Sequence, residues 1–157
     1  MRTRKLMSIL VLVLIIAFAY TSYNISLTDF KLSDTNNTYL GGLIWSRSLD
    51  KGLQAAQQED KPLMVYFWAV WCQFCKQFES ETLSNPEVNS ILKEDYILVA
   101  MDLDIDREVA RRYGVSFPPH MLFLDASGNV LERILGAVNA DYFLPRLINV
   151  RDKISNS

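Results

Sequence analysis

Only two cysteines and one histidine occur among the 157 residues of this chain. A disulfide-stapled scaffold needs more cysteines at longer spacings, so core packing must hold this fold together. Zinc sites take four protein ligands, or three and a water. Two cysteines with His120 far away in sequence do not meet that requirement. Clustered Lys and Arg are missing too. The 16 basic and 18 acidic residues are mixed along the chain and leave a net charge of -2, which excludes a nucleic-acid surface. There is no internal repeat and no low-complexity tract. What is present is a 50 % hydrophobic composition, sufficient for a packed core. The length suits one domain with an appendage.

The appendage is N-terminal. Arg2, Arg4 and Lys5 form a positive start, and residues 6–20 are almost wholly apolar. About 15 apolar residues match a secretory signal and are short for a bilayer span. Ala17-Phe18-Ala19 fits a small-x-small cleavage site. Counting residues 21–23 turns the stretch into a marginal single span. Residues 1–23 therefore read as a signal peptide or a single membrane anchor. Both place the rest of the chain outside the cytoplasm, in a periplasm or at the cell exterior, because the positive flank stays inside. Residues 24–44 are polar and read as a linker. Two Asn-x-Ser/Thr triplets fall there, at Asn24 and Asn36.

From Trp45 the pattern becomes regular. Ser46 or Ser48 caps a helix reaching Glu59, which Lys61-Pro62 stops. Leu63–Trp68 is a short apolar and aromatic run, the signature of a central buried strand. A helix over residues 73–83 follows, and Asn85-Pro86-Glu87 starts the next one. Residues 96–103 form a strand and 106–113 a short helix. Residues 121–124 and 130–135 form two strands joined by a turn at 125–129. A helix over 139–153 closes a domain spanning 45–153, and 154–157 is a tail. Strands separated by helices give parallel neighbours, and the late hairpin adds antiparallel ones. The fold class is α/β: a mixed central sheet with helices on both faces.

The two cysteines fall in Trp71-Cys72-Gln73-Phe74-Cys75-Lys76. A strand ending in Cys-x-x-Cys and opening a helix puts Cys72 at a helix N-terminus. Free backbone N–H groups and the macrodipole there favour a thiolate. Cys75 lies one turn on, within reach for a disulfide. That supplies an attacking thiolate and a resolving thiol, which is what exchange requires. Covalent haem attachment needs His after the second Cys, where Lys76 stands. A purely structural bridge across so small a loop would contribute little.

Phe67-Trp68-Ala69-Val70-Trp71-Cys72-Gln73-Phe74-Cys75-Lys76 resembles the active-site strand and helix of the thioredoxin superfamily. Tyr113-Gly114-Val115-Ser116-Phe117-Pro118-Pro119 resembles the segment leading to that family's cis-proline, here Pro119. Lys61-Pro62-Leu63-Met64, Phe78-Glu79 and Ser84-Asn85-Pro86-Glu87-Val88 resemble one branch of it: secreted thioredoxin-like proteins and the C-terminal periplasmic domain of the thiol:disulfide interchange protein DsbD. The resemblance implies a thioredoxin fold, dithiol–disulfide exchange with protein disulfides, a cis bond before Pro119 and no bound cofactor. A membrane-embedded electron donor is among the partners it suggests. Two positions depart from the family. Tyr66 stands where thioredoxins usually carry a buried Asp, and Pro118 precedes the cis-proline where Thr, Val or Ile is common.

Around the cysteines, Trp71 either shields the thiols or simply packs. Phe74, Pro118 and Pro119 are expected to line the surface that positions a substrate. Glu79 lies four residues after Cys75 on the same helical face. It is either a proton relay or an exposed charge paired with Lys76. His120, next to Pro119, either touches the site or is a partly buried histidine with its hydrogen bonds satisfied; the second is favoured because adjacent strand side chains point to opposite faces. Asp102, Asp104 and Asp106 lack the Gly and terminal Glu of a calcium loop and read as a solvated strand end. Two functions follow: an extracytoplasmic thiol–disulfide oxidoreductase, most simply a reductase, or a thioredoxin-like binding and assembly module without redox turnover.

Overall fold

The computed structural model describes residues 13–16 and 36–155. The chain divides into two units, Met1–Thr35 and Asn36–Ser157. In the first, residues 13–16 are helical. The remainder of the signal-or-anchor segment lies outside the described residues, among which no helix is long and apolar enough to cross a membrane.

The described residues of the second unit hold six strands and five α-helices. Strands β1 (Asn37–Leu40) and β2 (Leu43–Ser46) precede α1 (Leu49–Glu59) and β3 (Leu63–Trp68). Helix α2 (Gln73–Phe78) runs into a π-helical turn, Glu79–Leu83, and α3 (Pro86–Asp95) follows. Strand β4 (Ile97–Asp102), α4 (Arg107–Arg112), β5 (His120–Leu124), β6 (Val130–Leu135) and α5 (Ala140–Ser155) complete it. Helix starts follow the capping chemistry: Ser48 accepts from the Lys51 N–H, and Asn85 accepts from Glu87 and Val88.

The strand order is β1-β2-β4-β3-β5-β6. β3 pairs parallel with β4 and antiparallel with β5, so it lies at the centre and is buried over nearly its whole length. That is why its sequence is a continuous apolar run rather than an alternation. Successive side chains of β3 go to opposite faces. Met64 and Tyr66 join a core that α2, α3 and α5 cover, with Phe78, Val88, Leu92, Phe143 and Leu147. Val65 and Phe67 join the core under α1 and α4, with Leu49, Ala56 and Ala110. The sheet is mixed and covered on both faces, as expected.

Two boundaries need correction. Residues 37–46, assigned to the linker and the domain's first residues, form the antiparallel hairpin β1–β2, with Thr38 opposite Trp45. Leu43 and Trp45 are wholly buried, and β2 joins the sheet edge alongside β4. The compact unit therefore begins at Asn36. Residues 154 and 155, assigned to the tail, belong to α5.

The hairpin's turn rests on the helix that carries the cysteines. Gly41 has φ +57°, and a Cβ there would lie 2.5 Å from the Leu83 Cβ. Asn89 Nδ2 donates to the carbonyls of both Gly41 and Leu83. Only glycine allows this close approach in a left-handed conformation.

Candidate active site

β3 ends at Trp68, and a four-residue loop delivers Cys72 as the N-cap of α2. The Cα atoms of Cys72 and Cys75 are 5.2 Å apart, and a disulfide joins them. The Cys75 N–H donates to Cys72 Sγ at 3.0 Å. Once the disulfide opens, the same donor stabilises a thiolate on Cys72. Cys72 is 4 % exposed and Cys75 1 %, so an incoming sulfur meets Cys72 first.

Tyr66 belongs to the same buried core as the pair. Its ring packs between Trp45, at 5.6 Å, and Phe78, at 5.8 Å. Its hydroxyl donates to Glu79 Oε1 at 3.1 Å. Glu79 is half-buried, so it is not the exposed helix charge that was one of its two readings. Burial pushes its carboxyl above the ordinary range, while the Tyr66 hydrogen bond and the Lys76 charge draw it back. Burial, with the Glu79 charge beside it, drives the Tyr66 phenol far above its ordinary value, so it stays a neutral donor.

Trp71 and Phe74 are about two-thirds exposed and flank the disulfide. The Trp71 indole N–H donates to Asp104 Oδ2 at 2.8 Å. Asp102, expected to be solvated, is buried at the end of β4. Its Oδ1 accepts the Asp104 N–H, and its own N–H donates to Asp106 Oδ2. The acidic run thus builds a turn that presents Asp104 to Trp71. No group of three or more metal-ligating side chains comes together among the described residues. A groove of about 470 Å³ lies beside Trp71, walled by Arg107, Arg111 and residues 114–116. Asp104→Ala should free the indole and raise the KM for a protein disulfide about threefold or more, the loss of one charged hydrogen bond near solvent, with kcat little changed. Steady-state kinetics, with the Trp71 indole N–H resonance alongside, check this.

The peptide bond between Pro118 and Pro119 is cis, as expected. Pro119 is buried and Pro118 half-buried. His120 opens β5 opposite Phe67, so Pro119 enters the sheet at the end of β3 from which the Cys72 loop departs. The Pro119 carbonyl accepts the Gly136 N–H at 2.9 Å.

His120 lies on Phe67's face of the sheet, opposite to the face of Tyr66 and the cysteines. Its hydrogen bonds are not satisfied as expected: among the described residues neither ring nitrogen has a partner. The reason is that its ring sits between two aromatic rings, Phe67 at 6.5 Å and Phe117 at 6.4 Å, which offer no polar atoms. Burial, then the Arg133 charge, pushes its pKa below the ordinary histidine value. The unfolded chain therefore binds this proton more readily than the folded one. Stability from this residue is complete above about pH 6.5 and is lost as pH falls through the lowered folded value. The slope has a ceiling of about 1.4 kcal/mol per pH unit for one proton. Denaturant unfolding between pH 7 and pH 5 should show a smaller loss in His120→Phe than in the wild type. Equal losses would rule His120 out as the source.

Known proteins are similar to this chain in sequence and fold. The thioredoxin-like domain family matches residues 49–151. The thiol:disulfide interchange protein DsbD of Ralstonia nicotianae is 33 % identical over 103 residues, which are 63 % of this chain and 17 % of that protein's own length. The chain thus spans under a fifth of this curated relative. A thioredoxin from Thermus thermophilus has 29 % identity and a TM-score of 0.60, covering 65 % of this chain and 82 % of that one. The C-terminal domain of Neisseria meningitidis DsbD, in its oxidised form, has 26 % identity and a TM-score of 0.56, covering 64 % of this chain and 90 % of that one. With the family's match running from α1 to α5 across both cysteines, the chain belongs to the thioredoxin-like domain family.

Proposed function

We propose that this protein is an extracytoplasmic thiol–disulfide oxidoreductase that acts as a reductase on protein disulfides. The observation that carries the reading is the Cys72–Cys75 disulfide at the start of α2, with the Cys75 N–H on Cys72 Sγ. Similarity to DsbD supports the direction. The basic start and the apolar run of residues 6–20 support export, as a cleaved or membrane-anchored protein. A membrane-embedded donor is the proposed source of electrons.

In the reduced protein the Cys72 thiolate attacks a client disulfide. A Cys72–client bond forms, and the client's other sulfur leaves as a thiolate. Cys75 then gives its proton to the Glu79 carboxylate and attacks Cys72. The Cys72–Cys75 bond forms as the Cys72–client bond breaks, and the departing client thiolate takes a proton back. Two electrons pass from the dithiol to the client, and the donor's dithiol restores them. Trp71, Phe74, Pro118 and Pro119 position the client. Pro118 has no N–H, so a client backbone meets only its carbonyl.

The full chain, with dithiothreitol as donor, should accelerate insulin reduction well above dithiothreitol alone. No acceleration, with client binding retained, would leave a binding module instead.

A further inference from the structure

The residue at the family's buried-acid position is a tyrosine here, and its hydroxyl is already committed. We infer that Tyr66 is the positioning residue for Glu79: its phenol holds the carboxylate on the dithiol's side of the helix, where it exchanges a proton with Cys75. The inference rests on the redox reading above and extends it to a residue that reading does not use.

Three observations support it. Tyr66 is wholly buried, so its hydroxyl requires an internal partner. That partner is Glu79, at 3.1 Å, and Glu79 stands one helical turn beyond Cys75 on the same face. The ring is clamped between Trp45 and Phe78, which fixes where the hydroxyl points. Together these join one carboxyl to a neutral donor that shares its buried core with the cysteines. The charged and titratable groups acting on Glu79 are Tyr66 from β3 and Lys76 from its own helix. From the β1–β2 turn, the Gly41 backbone approaches the Glu79 carbonyl. Burial raises the Glu79 carboxyl's proton affinity, and the phenol's hydrogen bond limits that rise. A carboxyl tuned toward neutral pH is suited to taking a thiol proton and returning it.

The test measures how fast a preformed Cys72–client mixed disulfide is resolved, as a function of pH, in the full chain. Wild type should show an acid limb belonging to Glu79. Glu79→Gln should abolish that limb. Tyr66→Phe keeps the ring and loses only the hydroxyl, so it should move the limb up by about one pH unit, the size of one lost hydrogen bond to a charged group. In a Glu79→Gln background, Tyr66→Phe should change nothing further. Carboxyl NMR titration of Glu79 in the oxidised protein should rise by the same amount in Tyr66→Phe. An unmoved limb in Tyr66→Phe, or an equal change in both backgrounds, overturns the inference. An acid limb that survives Glu79→Gln overturns it as well, whatever the stability of the phenylalanine variant. Failure of the wild type to exchange disulfides would instead sink the redox reading, while the NMR titration would still report the Tyr66–Glu79 coupling.

Discussion

Cys75→Ser protein should accumulate mixed disulfides with its clients, and Cys72→Ser protein should form essentially none. The assignment follows from position. Cys72 caps α2 and accepts the Cys75 N–H, so its thiolate is the stabilised one. Cys75 is the more buried of the two and lies one turn inside the helix. Without it, the Cys72–client bond has no resolving thiol and persists. Both variants should lose multiple-turnover insulin reduction almost completely. Non-reducing electrophoresis of each variant after incubation with an oxidised client protein reads the result. Equal trapping by both, or trapping by Cys72→Ser alone, would reverse the roles.

Trp45→Ala should destabilise the domain by about 3–5 kcal/mol, the usual cost of truncating a fully buried aromatic residue. Trp45 is wholly buried. Its ring packs on Tyr66, and its indole N–H donates to the Leu40 carbonyl at 3.0 Å. Truncation opens a cavity, leaves that carbonyl without its donor and loosens the hairpin from the sheet. A midpoint shift of more than about 10 °C is expected in thermal unfolding. A loss under about 1 kcal/mol would mean that the hairpin is not integral to the domain.

This hairpin is also where the sequence was least legible. Residues 36–42 are Asn, Thr, Tyr, Leu and paired glycines, a composition that reads as linker. The strands are four residues each, and β1 is at a sheet edge with alternate residues exposed, so no apolar run marks them. β3 was readable for the opposite reason: burial on both faces writes a continuous hydrophobic run into the chain. The cysteine pair was readable because its chemistry is local, within a few residues, and the cis-proline because residues 113–119 resemble the family's segment. The contacts that complete the site are not local. Tyr66 and Glu79 are 13 residues apart, and Trp71 and Asp104 are 33 apart. Sequence marked Tyr66 as a departure and Glu79 as a candidate, but only the packing of α2 on β3 joins them. For His120, alternation along the strand favoured a side chain turned away from the site, and it lies on the face opposite the cysteines. Its unpartnered nitrogens depend on two rings brought in from β3 and the 114–119 segment.

The central claim is that Cys72 and Cys75 form a reversible couple poised for reduction. Equilibrating the full chain in graded glutathione buffers and quantifying the dithiol and disulfide forms tests it directly. A single two-electron transition near the thioredoxin value, roughly −270 mV, is the predicted result. A potential near about −120 mV, or a disulfide that does not respond to the buffers at all, would contradict the account.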